Sequence, residues 1–297
     1  MTRALPARQG ERLKLAAGKA AVTLMSSEYD QLEIRVVRKV ATATRDAARE
    51  LFSDHALNVS FDDLGIVIES GIDTEPDLQQ SFGEFAIEVY LPKNYSANVT
   101  TIGGAVSAAQ VAGDLKCETN GGFVSVGTVD GNATIDSGKG RVKLAHVRGD
   151  LSLTSTSGDS IVSKLDGAAT VKSLSGNIDV VFTAQPSRQS VLRTASGDIA
   201  ISLLDRLGFN LEASTEQGSI TAPFVSETKN SKRIVSTLND GGPRLVVESE
   251  EGNVFIRQFP VTTDGKRKTD HNKGKAKFHP SDNWISSVCQ QNHHLTE

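Results

Sequence analysis

The chain has 297 residues and a net charge of −4, so it is long enough to bury a core without a disulfide or a structural metal. The acidic balance gives no basic footprint for a phosphate backbone, which argues against nucleic acid as a partner. Only two cysteines occur, Cys117 and Cys289. Neither has a neighbour at metal-ligand or redox-motif spacing, so both are expected to be free thiols.

An export signal is not expected in the N-terminal stretch. Charged residues interrupt the apolar stretch between residues 11 and 25 before it reaches the length of a signal peptide. No apolar run approaches the length of a membrane span, so membrane insertion is not expected. Residues 1–10 are expected to be disordered. The chain as written is expected to be cytoplasmic, or extracytoplasmic if its start site is misassigned.

Residues 11–94 are predicted to form a β-rich segment with one helix. The alternating stretches "ERLKLAAGKAAVTLM", "QLEIRVVRKV", "GIVIES" and "FAIEVYLP" predict strands, whereas "ATRDAARELFSDH" (43–55) has the apolar spacing of a helix. Such a segment would cap the open end of a repeat structure and hide its unpaired backbone groups. We therefore expect a cap that is continuous with the repeats after it.

Residues 95–258 carry a repeat of 18 residues that consists of two halves of nine. Each half follows the pattern G-[D/N]-Φ-x-Φ-x-[T/S], in which alternation with period two marks one strand and glycine marks one turn. A fixed period of this length predicts a single-stranded parallel β-solenoid, an all-β fold. Glycine is expected at the corners because it tolerates positive φ. The corner glycines are Gly104, Gly113, Gly122, Gly131, Gly140, Gly149, Gly158, Gly167 and Gly176.

Residues 18 apart should lie directly above one another in the stack. The inward columns are predicted to be apolar and the outward columns polar. The predicted inward columns are Leu115, Ala133, Leu151 and Ala169; Cys117, Ile135, Leu153 and Val171; Val126, Leu144, Val162 and Val180; and Val111, Val129, Val147 and Leu165. The outward columns are Lys116, Thr134, Ser152 and Thr170, and Glu118, Asp136, Thr154 and Lys172. Ser160 breaks the column of Val124, Val142 and Ile178, and its hydroxyl is expected to bond to backbone in the corner.

The 18-residue spacing of the glycines is lost after Gly176. Gly197 and Gly218 follow at spacings of 21 residues, which predicts longer loops. The stretch 223–244 is expected to return as a hairpin or cap before a last rung, "RLVVESEEGNVFIRQ". Residues 259–297 are polar, basic and without periodicity, and we expect a disordered tail.

Its repeats and the stretches that flank them together make the chain resemble the bacterial putative-adhesin family, domain of unknown function 4097, over roughly residues 10–258. The resemblance rests on the opening "GERLKLAAGKAAVTL", the stretch "EVYLPKNYSANVTTIGGAVSA", the "GDLSL…SGD…LSGNIDV" rungs and the closing "EGNVFIR". It implies a parallel β-helix or β-roll without established catalytic residues.

Two sets of carboxylates were considered for catalysis. Glu118 and Asp136 share an outward column one rung apart, near the separation of about 5 Å that retaining glycosidases use, but the strand ladder alone imposes that spacing. Asp114 and Asp150 flank Asn132 in a corner column, where Asp is expected to bond to nearby backbone N–H groups. No catalytic residue is assigned.

Metal and cofactor sites are not expected either. A calcium β-roll would place an Asp two residues after the last glycine of its turn, whereas Asp114, Asp150 and Asp159 follow their glycines directly. The tail residues His271, His279, His293, His294 and Cys289 lack the scaffold that zinc requires. His146 has the mixed column neighbours Thr128, Lys164 and Phe182, which predict no site. No nucleotide-binding or hydrolase motif is present.

The sequence therefore favours a non-enzymatic binding or scaffold module, adhesin-like, with a protein or a polysaccharide as partner. The alternative is a carbohydrate-active parallel β-helix enzyme, a lyase or glycosidase. The expected contact surface is the set of loops "FTAQPSRQS" (182–190), "LLDRLGFN" (203–210) and "SETKNSKR" (226–233), because loops on a rigid scaffold commonly carry binding.

Overall fold

The protein is built from β-strands stacked in two sheets. The computed structural model describes residues 2–8, 10–40, 44, 46, 57–70, 82–225 and 231–260. The strands of this part of the chain are β1 (Thr2–Pro6), β2 (Arg12–Gly18), β3 (Ala21–Ser26), β4 (Gln31–Val40), β5 (Leu57–Asp62), β6 (Gly65–Ser70), β7 (Phe82–Leu91), β8 (Ser96–Thr101), β9 (Val106–Val111), β10 (Leu115–Thr119), β11 (Val124–Val129), β12 (Ala133–Ser137), β13 (Val142–Val147), β14 (Leu151–Ser157), β15 (Ser160–Leu165), β16 (Ala169–Ser175), β17 (Ile178–Phe182), β18 (Ser190–Ser196), β19 (Ile199–Leu204), β20 (Phe209–Thr215), β21 (Ile220–Thr221), β22 (Arg233–Leu238), β23 (Arg244–Glu251) and β24 (Val254–Phe259).

Each coil contributes one strand to each of two sheets. Sheet A has the order β1-β4-β7-β3-β9-β11-β13-β15-β17-β19-β24-β21, and sheet B has the order β22-β20-β23-β18-β16-β14-β12-β10-β8-β2-β6-β5. The pairing from β8 to β19 is parallel within both sheets. This confirms the all-β solenoid and shows that each coil has two sheets.

The parallel stack begins earlier than the repeat in the sequence. Strand β2 pairs in parallel with both β6 and β8, and β3 pairs in parallel with β7 and β9. The segment 11–94 therefore supplies two coils as well as capping strands. The glycine repeat is absent from these coils, which is why the sequence pattern did not reveal them.

Stacking order and chain order differ at both ends. The β2/β3 coil lies between the β6/β7 coil and the β8/β9 coil. At the other end, the β23/β24 coil lies between the β18/β19 coil and the β20/β21 coil. The stretch "RLVVESEEGNVFIRQ" is thus the last rung in the chain but not the last rung of the stack.

Antiparallel strands stand at three of the four sheet ends. Strand β1 pairs antiparallel with β4, β5 with β6, and β22 with β20. The prediction that stretch 223–244 returns as a hairpin or cap is confirmed by β22. Residues 2–6, which the sequence placed in a disordered N-terminus, form β1 instead. Leu5 of this strand is 4% exposed, and β1 pairs with β4.

The core lies between the two sheets, as the columns predicted. Leu115, Ala133 and Leu151 are in register and almost fully buried, and the other inward columns pair in the same way. Beyond Gly176 the segment between β17 and β18 is longer than the earlier corners. Phe182 and Phe209 pack edge-on in the core, with ring centroids 5.7 Å apart, which is a favourable aromatic geometry.

The corner glycines are required mainly by close stacking rather than by positive φ. A Cβ on Gly122 would overlap the carbonyl oxygen of Gly104 one coil away, and a Cβ on Gly140 would overlap that of Gly122. Among the predicted corner glycines, only Gly158 and Gly176 have positive φ, at 107° and 142°. The prediction from backbone conformation was therefore wrong for most corners.

The prediction for Ser160 can be compared with the structure, whereas the prediction of a helix over residues 43–55 largely cannot. Ser160 is in the column predicted for it and is 1% exposed, but its hydroxyl has no hydrogen-bond partner among the described residues, so the expected bond to backbone is wrong. The helix predicted over residues 43–55 lies outside the described residues except for Thr44 and Asp46, and the tail from residue 261 also lies outside them.

Candidate functional site

The corner segments that lead from sheet A to sheet B form one edge of the stack. We call this line the A-to-B edge. It consists of the corner segments in which the chain passes from sheet A to sheet B: 112–114, 130–132, 148–150, 166–168, 183–189 and 205–208. The opposite line, which includes Gly122, Gly140 and Gly158, is the B-to-A edge.

The corner carboxylates of the A-to-B edge are structural. The backbone N–H of Asn132 donates to Asp114 Oδ1 at 2.7 Å, that of Asp150 donates to Asn132 Oδ1 at 2.9 Å, and that of Ala168 donates to Asp150 Oδ1 at 2.6 Å. Each side chain therefore accepts a bond from the next coil. The expectation that these Asp residues bond to backbone is confirmed.

The B-to-A edge has a similar ladder. Asp159 Oδ1 accepts from Asn177 N at 3.2 Å, Asn177 Oδ1 from Asp198 N at 2.9 Å, and Asp198 Oδ1 from Asn253 N at 2.7 Å. The last bond joins β19 to the inserted β23/β24 coil. These carboxylates align the coils with one another, which is a different use from the oxygen cage of a calcium site.

Glu118 and Asp136 lie opposite each other on the outer face of sheet B, as their column predicted. Glu118 is engaged by Lys116, whose Nζ is 2.7 Å from Glu118 Oε1. Both residues of this ion pair are about half exposed, at 51% and 43% of their side chains. The pair is thus open to solvent, whereas catalytic carboxylates usually lie in an enclosed cleft.

His146 belongs to a hydrogen-bonded network on the A-to-B edge, although the sequence predicted no site there. Its Nε2 lies 2.8 Å from Asp166 Oδ2, and Thr183 Oγ1 donates to Asp166 Oδ1 at 2.7 Å. The hydroxyl contacts the carboxylate rather than the imidazole, so His146 cannot activate it as a general base would activate a nucleophile. The partners are 20 and 17 residues apart, and the 18-residue columns alone did not indicate them.

Three loops meet further along the A-to-B edge. Gln185 Nε2 donates to the Gly208 carbonyl at 2.8 Å, and Gly208 N donates to Gln185 Oε1 at 2.9 Å, so 183–189 and 205–208 are joined. Asn239 Nδ2 donates to the carbonyl oxygens of Asp205 and Leu207 at 2.9 and 2.6 Å, which adds the turn 239–243. We call these three segments the loop cluster.

The third loop of the predicted contact surface is not part of this cluster. Residues 226–230 of "SETKNSKR" lie outside the described residues. The described end of this loop lies at the B-to-A edge. There Lys232 Nζ donates to the Gly218 carbonyl, and the backbone oxygen of Lys232 accepts from Thr215 N. The structure therefore brings together two of the three predicted loops and adds 239–243, whose "NDGG" turn residues were the available signal.

A groove lies on the outer face of sheet B. It has a volume of about 460 Å³ and crosses the first residues of β2, β8, β10 and β12. Its lining combines charged, amide and hydroxyl side chains with apolar residues. The residues that line it are Gly10, Arg12, Leu64, Ser96, Ala97, Asn98, Asp114, Leu115, Lys116, Asn132 and Thr134. The sequence did not indicate the groove because Gly10, Arg12 and Leu64 precede the glycine repeat and join the other lining residues only through the stacking order.

Two buried groups near these surfaces have strongly raised pKa values. Burial, together with the Glu11 carboxylate at 3.4 Å from the hydroxyl, raises the pKa of Tyr95 to about 12. Burial in the core, with a smaller contribution from Glu118, raises the pKa of Cys117 to about 12. Both groups are neutral at physiological pH, and Cys117 is an unreactive core thiol.

Metal ligands do not converge in the part of the chain that the structure describes. No three His, Cys, Asp or Glu side chains there are placed to hold an ion. The same residues contain no helix that is long and apolar enough to cross a membrane.

A family model matches residues 11–257, which span nearly all of the described stack. The chain belongs to the Toastrack DUF4097 family. The resemblance that the sequence pattern indicated is thereby confirmed. None of the curated proteins matches the chain.

Three solved structures are similar to the chain, each over 87% of its length. One is a putative adhesin from Bacteroides fragilis, at 12% identity and a TM-score of 0.42, of which 96% is covered. A second is a putative lipid binding protein from Parabacteroides distasonis, at 15% identity and a TM-score of 0.44, with 96% covered. A third is a putative cell adhesion protein from Clostridium sporogenes, at 11% identity and a TM-score of 0.25, with 99% covered.

Proposed function

We propose that the protein is a non-enzymatic binding or scaffold module that presents its outer polar faces and the loop cluster to a protein or polysaccharide partner. The observation that carries this proposal is the loop cluster itself. Three loops of different coils are fixed to one another by hydrogen bonds from Gln185 and Asn239. Fixed loops on a rigid stack form a preorganised surface, which lowers the entropic cost of binding.

The side chains at the tips of these loops are free to meet a partner. Arg188 and Arg206 are exposed, as are Asp205 and Asp240. Arg188 pairs with Asp150 at 2.5 Å with 66% of its side chain exposed, and such a pair can exchange for a partner's carboxylate at little cost. Arginine is also a frequent contributor to binding energy at interfaces.

The hydrogen bonds and the ion pair that the carboxylates make support binding without turnover. Asp114, Asp150 and Asp159 bond to backbone N–H groups of the next coil, and Glu118 is paired with Lys116 on an open face. A glycosidase would need an acid and a base that both face one substrate position. No observation in the described structure favours the enzyme alternative over the binding module.

The test compares two double variants of the full chain. Arg188→Ala with Arg206→Ala removes two cations from the loop cluster, whereas Lys139→Ala with Arg141→Ala makes the same charge change at the B-to-A edge. Each protein is immobilised and exposed to a panel of polysaccharides and to cell extract, and retained material is identified by mass spectrometry.

The proposal predicts a ligand that the wild type and the Lys139/Arg141 variant retain, that the loop-cluster variant loses, and that elutes with unchanged length. Equal retention by all three proteins would overturn the loop cluster as the binding surface. Shortened polysaccharide that disappears in a Glu118→Gln, Asp136→Asn variant would overturn the absence of turnover.

A further inference from the structure

The groove on sheet B carries an inference about ligand class that rests on the proposed binding function but concerns a second site. We propose that the groove binds a segment of acidic polysaccharide, with its carboxylates held by Arg12, Lys14 and Lys116 and its hydroxyls held by the amide and hydroxyl side chains between them.

The first step is the placement of the cations. Lys14 and Lys116 lie on either side of Asn98 in one row across β2, β8 and β10, and Arg12 is two residues before Lys14 on the same strand. Neighbouring strands are about 4.8 Å apart. The three cations therefore surround Asn98 within the width of three strands.

The second step is how weakly these cations are neutralised. Lys14 has no ion pair among the described residues, and Arg12 is 3.8 Å from Asp62 with both side chains 40% exposed. Lys116 pairs with Glu118 at 2.7 Å. Glu118 and Lys14 both lie beside the groove on the same sheet face and are not among the residues that line it. Asp114 is the one carboxylate that lines the groove, and one of its oxygens already accepts from Asn132 N. The groove thus favours an anion.

The third step is the supply of hydrogen-bond donors. Asn98 and Thr134 make no side-chain hydrogen bond within the described structure, and the Asn132 amide uses only its oxygen, toward Asp150 N. A ligand rich in acceptors, such as carboxylates and hydroxyls, would satisfy these donors.

The fourth step separates a polysaccharide from an acidic peptide. Leu64, at 54%, is the one exposed large apolar side chain among the residues that line the groove, since Leu115 is buried, and no aromatic side chain lines it. Peptide-binding grooves rely on apolar or aromatic pockets for anchor residues. A row of amide and hydroxyl groups across strands of regular spacing instead suits a chain of hydroxylated units.

The probe is a short oligogalacturonate, titrated into the full chain by calorimetry in the presence of a chelator, with a neutral malto-oligosaccharide of equal length as the uncharged comparison. The Lys14→Gln, Lys116→Gln variant and the Asn98→Ala variant test the groove. Lys172→Gln is the matched control, because Lys172 is exposed on the same outer face but lies outside the groove.

We expect binding of the acidic oligomer that weakens with added salt, little binding of the neutral oligomer, and a loss of about tenfold or more in the Lys14/Lys116 variant. Asn98→Ala should weaken binding with less change in its salt dependence, and Lys172→Gln should bind as the wild type does. The melting temperature of each variant confirms that these exposed substitutions leave the fold intact.

Equal binding of the neutral oligomer, or an unchanged affinity in the Lys14/Lys116 variant, would overturn the inference. Tighter binding of a poly-glutamate peptide than of oligogalacturonate would overturn the polysaccharide class. If no acidic glycan binds while the loop-cluster variant still loses its partner, the groove inference fails and the proposed function stands.

Discussion

Gly121 and Gly122 are neighbours in the chain, but their surroundings differ. A Cβ on Gly122 would overlap the carbonyl oxygen of Gly104, whereas a Cβ on Gly121 would have nothing within 4 Å. Neither residue has positive φ, so the two positions differ only in how closely the coils stack. The sequence showed where glycine recurs, but only the stacked coils show why.

Gly122→Ala is predicted to destabilise the protein by about 1–3 kcal/mol, the usual cost of an overpacked interior, because neighbouring coils must separate. Gly121→Ala should leave the free energy of unfolding within about 0.5 kcal/mol of the wild type. Urea denaturation of both variants measures the difference. Equal destabilisation would show that backbone conformation, not stacking, requires these glycines.

Ser160 and Ser137 are both buried hydroxyls, but only one has a partner. Ser137 Oγ donates to the Gly140 carbonyl at 2.9 Å, while Ser160 Oγ has no partner among the described residues. Ser137→Ala should therefore lower the free energy of unfolding by about 1 kcal/mol, and Ser160→Ala should leave it unchanged or raise it by up to about 1 kcal/mol. In thermal melts the midpoint of Ser137→Ala should fall, whereas the midpoint of Ser160→Ala should rise or stay unchanged. A larger loss for Ser160→Ala would reveal a bond that the hydroxyl makes in solution.

Cys117 makes stability depend on alkaline pH. Its pKa rises from 9.0 to about 12 on folding because the core excludes the thiolate. Its contribution is fully present below pH 9 and is lost as pH rises toward 12, since the unfolded chain ionises first. Stability should fall by about 1.4 kcal/mol per pH unit from this residue alone in that window. Cys117→Val should reduce the slope of stability against pH, and an unchanged slope would contradict the burial of the thiol.

At the scale of elements, alternation predicted the faces of the repeat strands from β10 to β19 because one side of each strand is buried and the other is solvated. The ends of the stack could not be predicted in this way. Strand β6 has four buried residues in succession, from Gly65 to Ile68, and the insertion of β23 beside β18 joins residues 55 apart in the chain. Long-range pairing of this kind leaves no periodic signal.

Strand β22 is expected to open independently of the central coils. Ile234 is 5% exposed and Val235 is 70% exposed, and β22 pairs only with the outermost β20. Ile234→Asp should raise amide hydrogen exchange in β20 and β22 by roughly tenfold or more without changing β10–β16, since end elements open by local unfolding. Val235→Asp is the control and should exchange as the wild type does. Faster exchange throughout the stack would show that the coils unfold as one unit.

At the scale of the whole molecule, the family and the solenoid were predictable because the 18-residue repeat is visible in the sequence and indicates both. The groove and the loop cluster were not, since each combines residues from coils that only the stacking order brings together. Arg12 and Asn132, for example, are far apart in the chain but line one groove. Of the carboxylates that the sequence offered for catalysis, Asp114 and Asp150 instead accept the hydrogen bonds that align the coils.

The central claim is that the outer surface binds a partner without converting it. The most direct measurement incubates the protein with oligogalacturonate in a chelator, follows the heat of binding to saturation, and then determines the length of the recovered oligomer by mass spectrometry. We predict a saturable heat of binding and an oligomer of unchanged length. Continued heat release after saturation, with shortened oligomers that disappear in the Glu118→Gln, Asp136→Asn variant, would contradict the claim.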